Sequence, residues 1–197
     1  DITLSLFLVV CLLPLFIIIS LIIKHTSPGP VIYKQLRVRK NLDTFTCYKF
    51  RTMVSEENHQ RNDGVTTNRK KHRITKVGKM LRKYKLDEIP QLINVLVGDL
   101  SMVGPRPQIE KYIKIYPNKY KRILSVKPGI TGLATILFYK KEEEMLASAE
   151  DGEKEYIDNI LPKKFKYDYF YAKNQSLCLD ILILWWTAKN LLGFKTR

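Results

Sequence analysis

An α+β fold, predominantly helical and fixed to a membrane at one end, is predicted by three observations on this 197-residue chain. An uncharged run opens it at residues 2–23, helical apolar periodicity recurs through the remainder, and only two short β-rich runs, 31–33 and 45–50, stand out. Hydrophobic residues at 45% and aromatics at 11% exclude a disordered basic tail, and a mean hydropathy of −0.18 excludes a multi-pass membrane protein. Lys and Arg number 34 against 19 Asp and Glu, a net charge of +15, which calls for an anionic partner: nucleic acid, anionic lipid headgroups or a phosphorylated small substrate. Cys11, Cys47 and Cys178 lie far apart, against a disulfide framework, and His25, His59 and His72 are too scattered for a zinc site.

As a helix, residues 2–23 rise about 33 Å, enough to cross a bilayer core of about 30 Å. No small-residue cleavage site accompanies the run, so it is a retained membrane element and not a secretory signal. Pro14 near its middle removes one backbone hydrogen bond. The segment is therefore either a kinked single span or a broken helix that enters and leaves on one side. Lys24, Lys34, Arg37, Arg39 and Lys40 follow, which assigns the bulk of the chain to the cytoplasmic side. Asp1 precedes the run with no Met, and we expect residues upstream of it.

Ser27-Pro28-Gly29-Pro30 reads as a linker, and Lys40-Asn41-Leu42-Asp43 as the turn between the two strands. Residues 55–73 read as a polar surface loop. Val77, Met80, Leu81 and Tyr84 predict a helix over 74–84. Ile89, Leu92, Ile93 and Leu96 predict another over 87–96, with Pro90 in its first turn and Gly98 at its end. Gly104-Pro105-Arg106-Pro107 is a rigid turn, a helix covers 108–125, and Pro128-Gly129-Ile130-Thr131-Gly132 breaks the chain again. Residues 141–158 form an acidic helix surface, and a last helix over 162–171 precedes the apolar segment 177–194. Trp185 and Trp186 in that segment suit a helix at the membrane interface, or equally a buried core helix. Cys11 and Cys178 are expected to be inert packing thiols.

Nine Lys and Arg, and no acid, lie between Gly64 and Leu86. Such a run is a solvated face, a surface for anionic lipid, or a nucleic-acid contact. The membrane segment favours lipid, and no zinc finger, RNP motif or helix-turn-helix supports nucleic acid. Leu86-Asp87-Glu88-Ile89-Pro90 then sets two carboxylates at a helix start. Ordinary capping accounts for such a pair. So does phosphate chemistry, in which one carboxylate attacks phosphorus and its neighbour holds Mg²⁺, with Lys49, Arg82 and Arg106 as phosphate contacts.

Tyr48-Lys49-Phe50-Arg51-Thr52-Met53, the unbroken stretch from Leu86-Asp87-Glu88-Ile89-Pro90-Gln91 to Gly104-Pro105-Arg106-Pro107, and Lys127-Pro128-Gly129-Ile130-Thr131-Gly132-Leu133-Ala134 closely resemble, in order, the bacterial sugar transferase family, the monotopic phosphoglycosyl transferases. The resemblance implies a monotopic protein with a re-entrant membrane helix (residues 1–24) broken at Pro14. A cytoplasmic catalytic domain (25–197) would follow, with interfacial amphipathic helices, at the bacterial inner membrane. It implies transfer of a sugar 1-phosphate from a UDP-sugar to polyprenyl phosphate with release of UMP, as the first membrane step of glycan assembly. By the same resemblance Asp87 is the nucleophile that carries a phosphosugar, Glu88 its Mg²⁺-binding partner, and Lys49, Arg82, Arg106 and Asp168 are active-site residues. Membrane lipids are partners, nucleic acid is not, and a homo-oligomer is left open.

Three departures accompany the resemblance. Leu13, not a Ser, precedes Pro14; the usual basic lead before the apolar run is absent from the sequence; and Thr135-Ile136-Leu137-Phe138-Tyr139-Lys140-Lys141 replaces a Gln-Val-Asn-Gly-Arg-like stretch near the nucleotide-sugar site. Whatever that arginine does is done differently here, or by Lys140 or Lys141. A non-catalytic membrane-anchored basic scaffold is the alternative reading.

Overall fold

The computed structural model describes residues 1–54 and 73–191. The loop expected over 55–73, apart from Arg73, therefore lies outside the described residues, as do basic residues 69–71 and the end of the apolar segment, 192–194.

Helix α1 (Ile2–Thr26) contains Pro14 without ending there. Helical hydrogen bonding thus continues past Pro14, whose ring removes one hydrogen bond without ending the helix. Ser5, Leu8, Val9, Leu12, Leu15, Phe16, Ile19 and Ile23 form one helical stripe that packs on the rest of the protein along the whole length of α1. Near its start, the Ser5 hydroxyl donates to the Leu92 carbonyl at 2.8 Å, and the Asp1 carboxylate accepts from Ser101 Oγ at 2.8 Å and the Met102 N–H at 3.2 Å. Further along, the Phe16 and Phe50 rings lie 4.8 Å apart, and Ile19 and Ile23 are buried with Phe50 and Leu81. The opposite stripe, including Leu6, Phe7, Val10, Leu13, Ile17 and Leu21, is exposed.

Strand β1 (Ile32–Val38) pairs antiparallel with β2 (Thr44–Phe50) in a register that sets Tyr33 opposite Lys49. β1 runs five residues past its expected end at 33 because its polar side chains satisfy one another: Arg37 donates to the buried Gln35 Oε1 at 2.6 Å. Helix α2 (Lys76–Lys83) starts at Thr75, whose hydroxyl accepts from the Gly78 N–H at 2.9 Å. The helix expected over 87–96 is instead a 3₁₀ turn, Leu86–Glu88, followed by α3 (Gln91–Leu96) capped by Pro90. Its buried face is Gln91, Leu92, Asn94 and Val95, while Ile93 is exposed. Asn94 faces inward because its carboxamide accepts the Tyr48 N–H at 3.1 Å and donates to the Thr46 carbonyl at 2.8 Å, docking α3 on the edge of β2.

Strand β3 (Ser101–Val103) is followed by α4 (Glu110–Ile115) and α5 (Pro117–Ile123). The single helix expected over 108–125 is thus two, because Pro117 cannot continue the first and starts the second. β4 (Gly129–Thr131) pairs parallel with β3. Backbones in this seam touch where side chains cannot fit: a Cβ on Gly104 would meet the Lys127 carbonyl oxygen at 2.4 Å, and one on Gly132 the Gly104 carbonyl oxygen at 2.2 Å.

Helix α6 (Leu133–Ser148), the short α7 (Gly152–Glu155), a π-helical stretch Tyr156–Ile160 and α8 (Leu161–Asn174) then enclose a core with α4 and α5 around Tyr112, Tyr120, Phe138, Tyr156 and Phe165. In the final α9 (Leu177–Leu191) only Ile183 is buried, whereas Leu177, Ile181 and Trp185 are exposed, so α9 is not a buried core helix. Cys11 and Cys178 are exposed on α1 and α9, not packed as expected; the buried thiol is Cys47.

Candidate active site

Lys85 turns the chain after α2 through the left-handed region (φ 56°, ψ 19°), and the 3₁₀ turn that follows buries Asp87 and Glu88 together. Three other segments converge on them. Strand β2 presents Lys49, whose Nζ donates to Glu88 Oε1 at 2.7 Å. The Gly104–Pro107 turn presents Arg106, whose Nη2 donates to the same oxygen at 2.8 Å. That turn is pinned by the glycine seam and by Arg37, which donates to the Pro107 carbonyl at 3.0 Å. Arg82 comes from α2, its Nε donating to Thr52 Oγ1 at 2.8 Å. Gly78 permits this docking: a Cβ there would lie 2.1 Å from the Thr52 carbonyl oxygen.

The two carboxylates are prepared differently. Burial alone would push the Glu88 carboxyl up, but Arg106 and Lys49 override it and hold it well below the usual range, so Glu88 is an anion throughout. Burial pushes the Asp87 carboxyl up, Glu88 adds to that, and Lys49, Arg82 and Lys85 offset only part. Asp87 Oδ1 is buried without a hydrogen-bond partner among the described residues. Glu88 therefore takes the strong hydrogen bonds, while Asp87 Oδ1 takes none among the described residues.

Lys49, Arg82, Asp87, Glu88 and Arg106, all anticipated, thus form one constellation. Asp168 sits apart in α8, where burial pushes its carboxyl up to about 7 against the lowering pull of Lys164, with Glu142 raising it further. Buried Lys164 donates to Glu142 Oε2 at 2.8 Å, and Glu142 in turn acts electrostatically on Arg106. No hydrogen bond or ion pair among the described residues joins Asp168 to the dyad, so the structure does not bring this anticipated residue into the constellation. Two residues absent from the anticipated set adjoin the site. Lys85 has its ammonium lowered by burial and by Arg106, and Tyr139 has its phenol raised by burial and by Glu143. Lys85 was hidden in a basic run and Tyr139 in the divergent stretch; the signal for Lys85 was its position two residues before Asp87.

No cluster of three or more His, Cys, Asp or Glu able to hold a metal occurs among the described residues. The dyad fits a Mg²⁺ of the kind that takes one or two carboxylates and completes its shell with water and phosphate oxygens. Both cations bind Glu88 through Oε1, so Oε2 is open among the described residues, and Asp87 Oδ1 lacks a donor.

The described residues thus bring a buried acidic pair ringed by cations together with a helix long and apolar enough to cross a membrane. The chain belongs to the bacterial sugar transferase family, whose model it matches over residues 1–193. It is 37% identical, over 98% of its length and 85% of the relative's, to an uncharacterized sugar transferase, EpsL, of Bacillus subtilis (strain 168). It is 36% identical to the UDP-N-acetylgalactosamine-undecaprenyl-phosphate N-acetylgalactosaminephosphotransferase of Aeromonas hydrophila, over 93% of this chain and 41% of that protein. It is also 36% identical to the UDP-glucose:undecaprenyl-phosphate glucose-1-phosphate transferase of Klebsiella pneumoniae, over 95% of this chain and 38% of that protein. The chain thus spans well under half of the two relatives named for a reaction.

Proposed function

We propose that the protein transfers a sugar 1-phosphate from a UDP-sugar to polyprenyl phosphate through a covalent intermediate on Asp87. One observation carries the reading: in a buried pair, Glu88 absorbs both Lys49 and Arg106 while Asp87 Oδ1 has no hydrogen-bond partner among the described residues. An Asp87 oxygen attacks the phosphorus that bears the sugar, the bond from that phosphorus to the UMP oxygen breaks, and an acyl phosphate forms. An oxygen of polyprenyl phosphate then attacks the same phosphorus, the acyl bond breaks, and Asp87 returns as a carboxylate. Arg82, Lys49 and Arg106 spread positive charge where phosphate oxygens gain negative charge. A Mg²⁺ held by Glu88 would neutralise the charge of the donor's phosphates, which otherwise repel an anionic attacker.

The membrane reading is that α1 dips into one leaflet and leaves on the side it entered, with α9 at the interface and the domain cytoplasmic. It is supported by the contacts of α1 with the same body at both ends, Ser5 with Leu92 and Ile23 with the Phe50–Leu81 cluster. A perpendicular span would carry one end about 30 Å from the domain. The outward apolar faces of α1 and α9 suit lipid, and Trp185 suits the headgroup boundary. This brings an embedded lipid phosphate and a soluble nucleotide to one carboxylate.

The test is incubation of detergent-solubilised protein with Mg²⁺ and a panel of UDP-sugars, without acceptor, followed by peptide mass spectrometry. A phosphosugar increment on the Asp87 peptide, absent in Asp87→Asn, is the expected result. No adduct, and no UMP release once polyprenyl phosphate is supplied, would favour the non-catalytic scaffold.

A further inference from the structure

Lys85 and Tyr139 are far apart in sequence and meet beside the dyad. The Lys85 ammonium lies over the Tyr139 ring, 4.2 Å from its centroid. Lys85 holds a left-handed conformation that disfavours a side-chain-bearing residue, and this turn aims it at the site, where Arg106, Glu88, Asp87 and Lys49 all act on it. Among the described residues no carboxylate pairs with it, because the engaged oxygen of Glu88 is taken by Lys49 and Arg106. An aromatic face holds an ammonium more weakly than a phosphate does. Tyr139 is 37% exposed on α6, and its hydroxyl donates to Glu143 Oε1 at 3.5 Å.

We propose that Lys85 and Tyr139 form the donor-sugar subsite: the donor's diphosphate draws the ammonium off the ring, and the freed ring face stacks on the sugar. The inference rests on the transferase reading above. The phosphorus that Asp87 attacks carries the sugar, so the sugar lies one bond from the reacting atom. Lys85, two residues from Asp87, already spans from the dyad to the Tyr139 ring. The C–H face of a pyranose is apolar and packs on an aromatic face, and Glu143 at the ring's rim can accept from a sugar hydroxyl. Relatives at the same 36% identity are named for different sugars, and Tyr139 stands in the stretch of this chain that departs from the family's motifs.

The experiment measures UMP release by the full chain in detergent, with polyprenyl phosphate as acceptor and UDP-glucose and UDP-N-acetylgalactosamine as donors. Tyr139→Leu raises the KM of the preferred donor ~10-fold, leaves inhibition by UDP and the acceptor KM unchanged, and narrows the preference between the two donors. Tyr139→Phe, which keeps the face, restores most of the donor affinity. Lys85→Met, which leaves α6 untouched and serves if Tyr139→Leu folds poorly, weakens the donor and UDP together. Saturation-transfer NMR on Asp87→Asn gives a readout without turnover: adding Tyr139→Leu removes the signal on sugar protons and spares that on uracil. Equal losses for donor and UDP in Tyr139→Leu, or an unchanged donor KM, overturn the subsite while the transferase reading stands. No UMP release by the unmodified protein overturns both.

Discussion

Lys164 Nζ lies 2.8 Å from Glu142 Oε2 and is only 3% exposed, so a buried ion pair ties α8 to α6 behind the active site. Removing one partner leaves the other charge uncompensated in a poor solvent for it, which costs about 3 kcal/mol. Lys164→Met is expected to lower stability by that amount in denaturant titrations, and Lys164→Met with Glu142→Gln to recover a measurable part.

Asp168 gives the protein a pH dependence of defined sign. Its carboxyl is raised to about 7 in the folded chain, against about 3.9 unfolded. Between these values the folded state binds the extra proton, so this contribution is full below about pH 4 and is lost as pH rises to about 7. Unfolding free energies of Asp168→Asn and the unmodified protein, compared from pH 4 to 8, should diverge in favour of the variant by on the order of 4 kcal/mol. Parallel curves would refute this.

Asp87 carries a stability cost of its own. Its carboxylate is buried, raised and without a hydrogen bond at Oδ1 among the described residues. Asp87→Asn should therefore abolish the phosphosugar adduct and stabilise the fold at neutral pH by about 1 kcal/mol. Thermal unfolding and mass spectrometry on the same preparation read both effects.

Gly78→Ala should damage the site from outside it. The added methyl meets the Thr52 carbonyl oxygen, and α2 must move, taking Arg82 from its bond to Thr52 Oγ1. About 1–3 kcal/mol of stability should be lost, and UMP release should fall further than stability alone accounts for.

The cluster that the structure assembles was largely legible because it is local: Asp87 and Glu88 are adjacent, and Lys49, Arg82 and Arg106 stand in recognisable motifs. Lys85 and Tyr139 were not, because a cation over a ring is a tertiary contact that no spacing records, and one lysine in a basic run carries no mark. The apolar period misassigned the inner face of α3, where Asn94 is buried by hydrogen bonds instead of by transfer from water. β3 and β4 are too short to show alternation, and their pairing depends on glycines whose purpose appears only when two backbones meet. The uniform apolarity of α1 marked a helix long and apolar enough to cross a membrane but not which stripe faces protein. Asp168 was placed by resemblance, and its separation from the dyad, in α8 beside the Lys164–Glu142 pair, needed coordinates.

The inner stripe of α1 has a practical consequence for anyone wishing to handle the catalytic portion in plain buffer. Leu8, Val9, Leu12, Leu15, Phe16, Ile19 and Ile23 serve as wall for the clusters containing Leu92, Val95, Phe50 and Leu81. Cutting the chain after Thr26 would not release a water-soluble enzyme. It would open a greasy trench directly behind the α2–α3 corner that holds the dyad. A better route to solubility leaves α1 in place and recolours only its outer stripe, exchanging residues such as Phe7, Val10, Ile17 and Leu21 for charged ones.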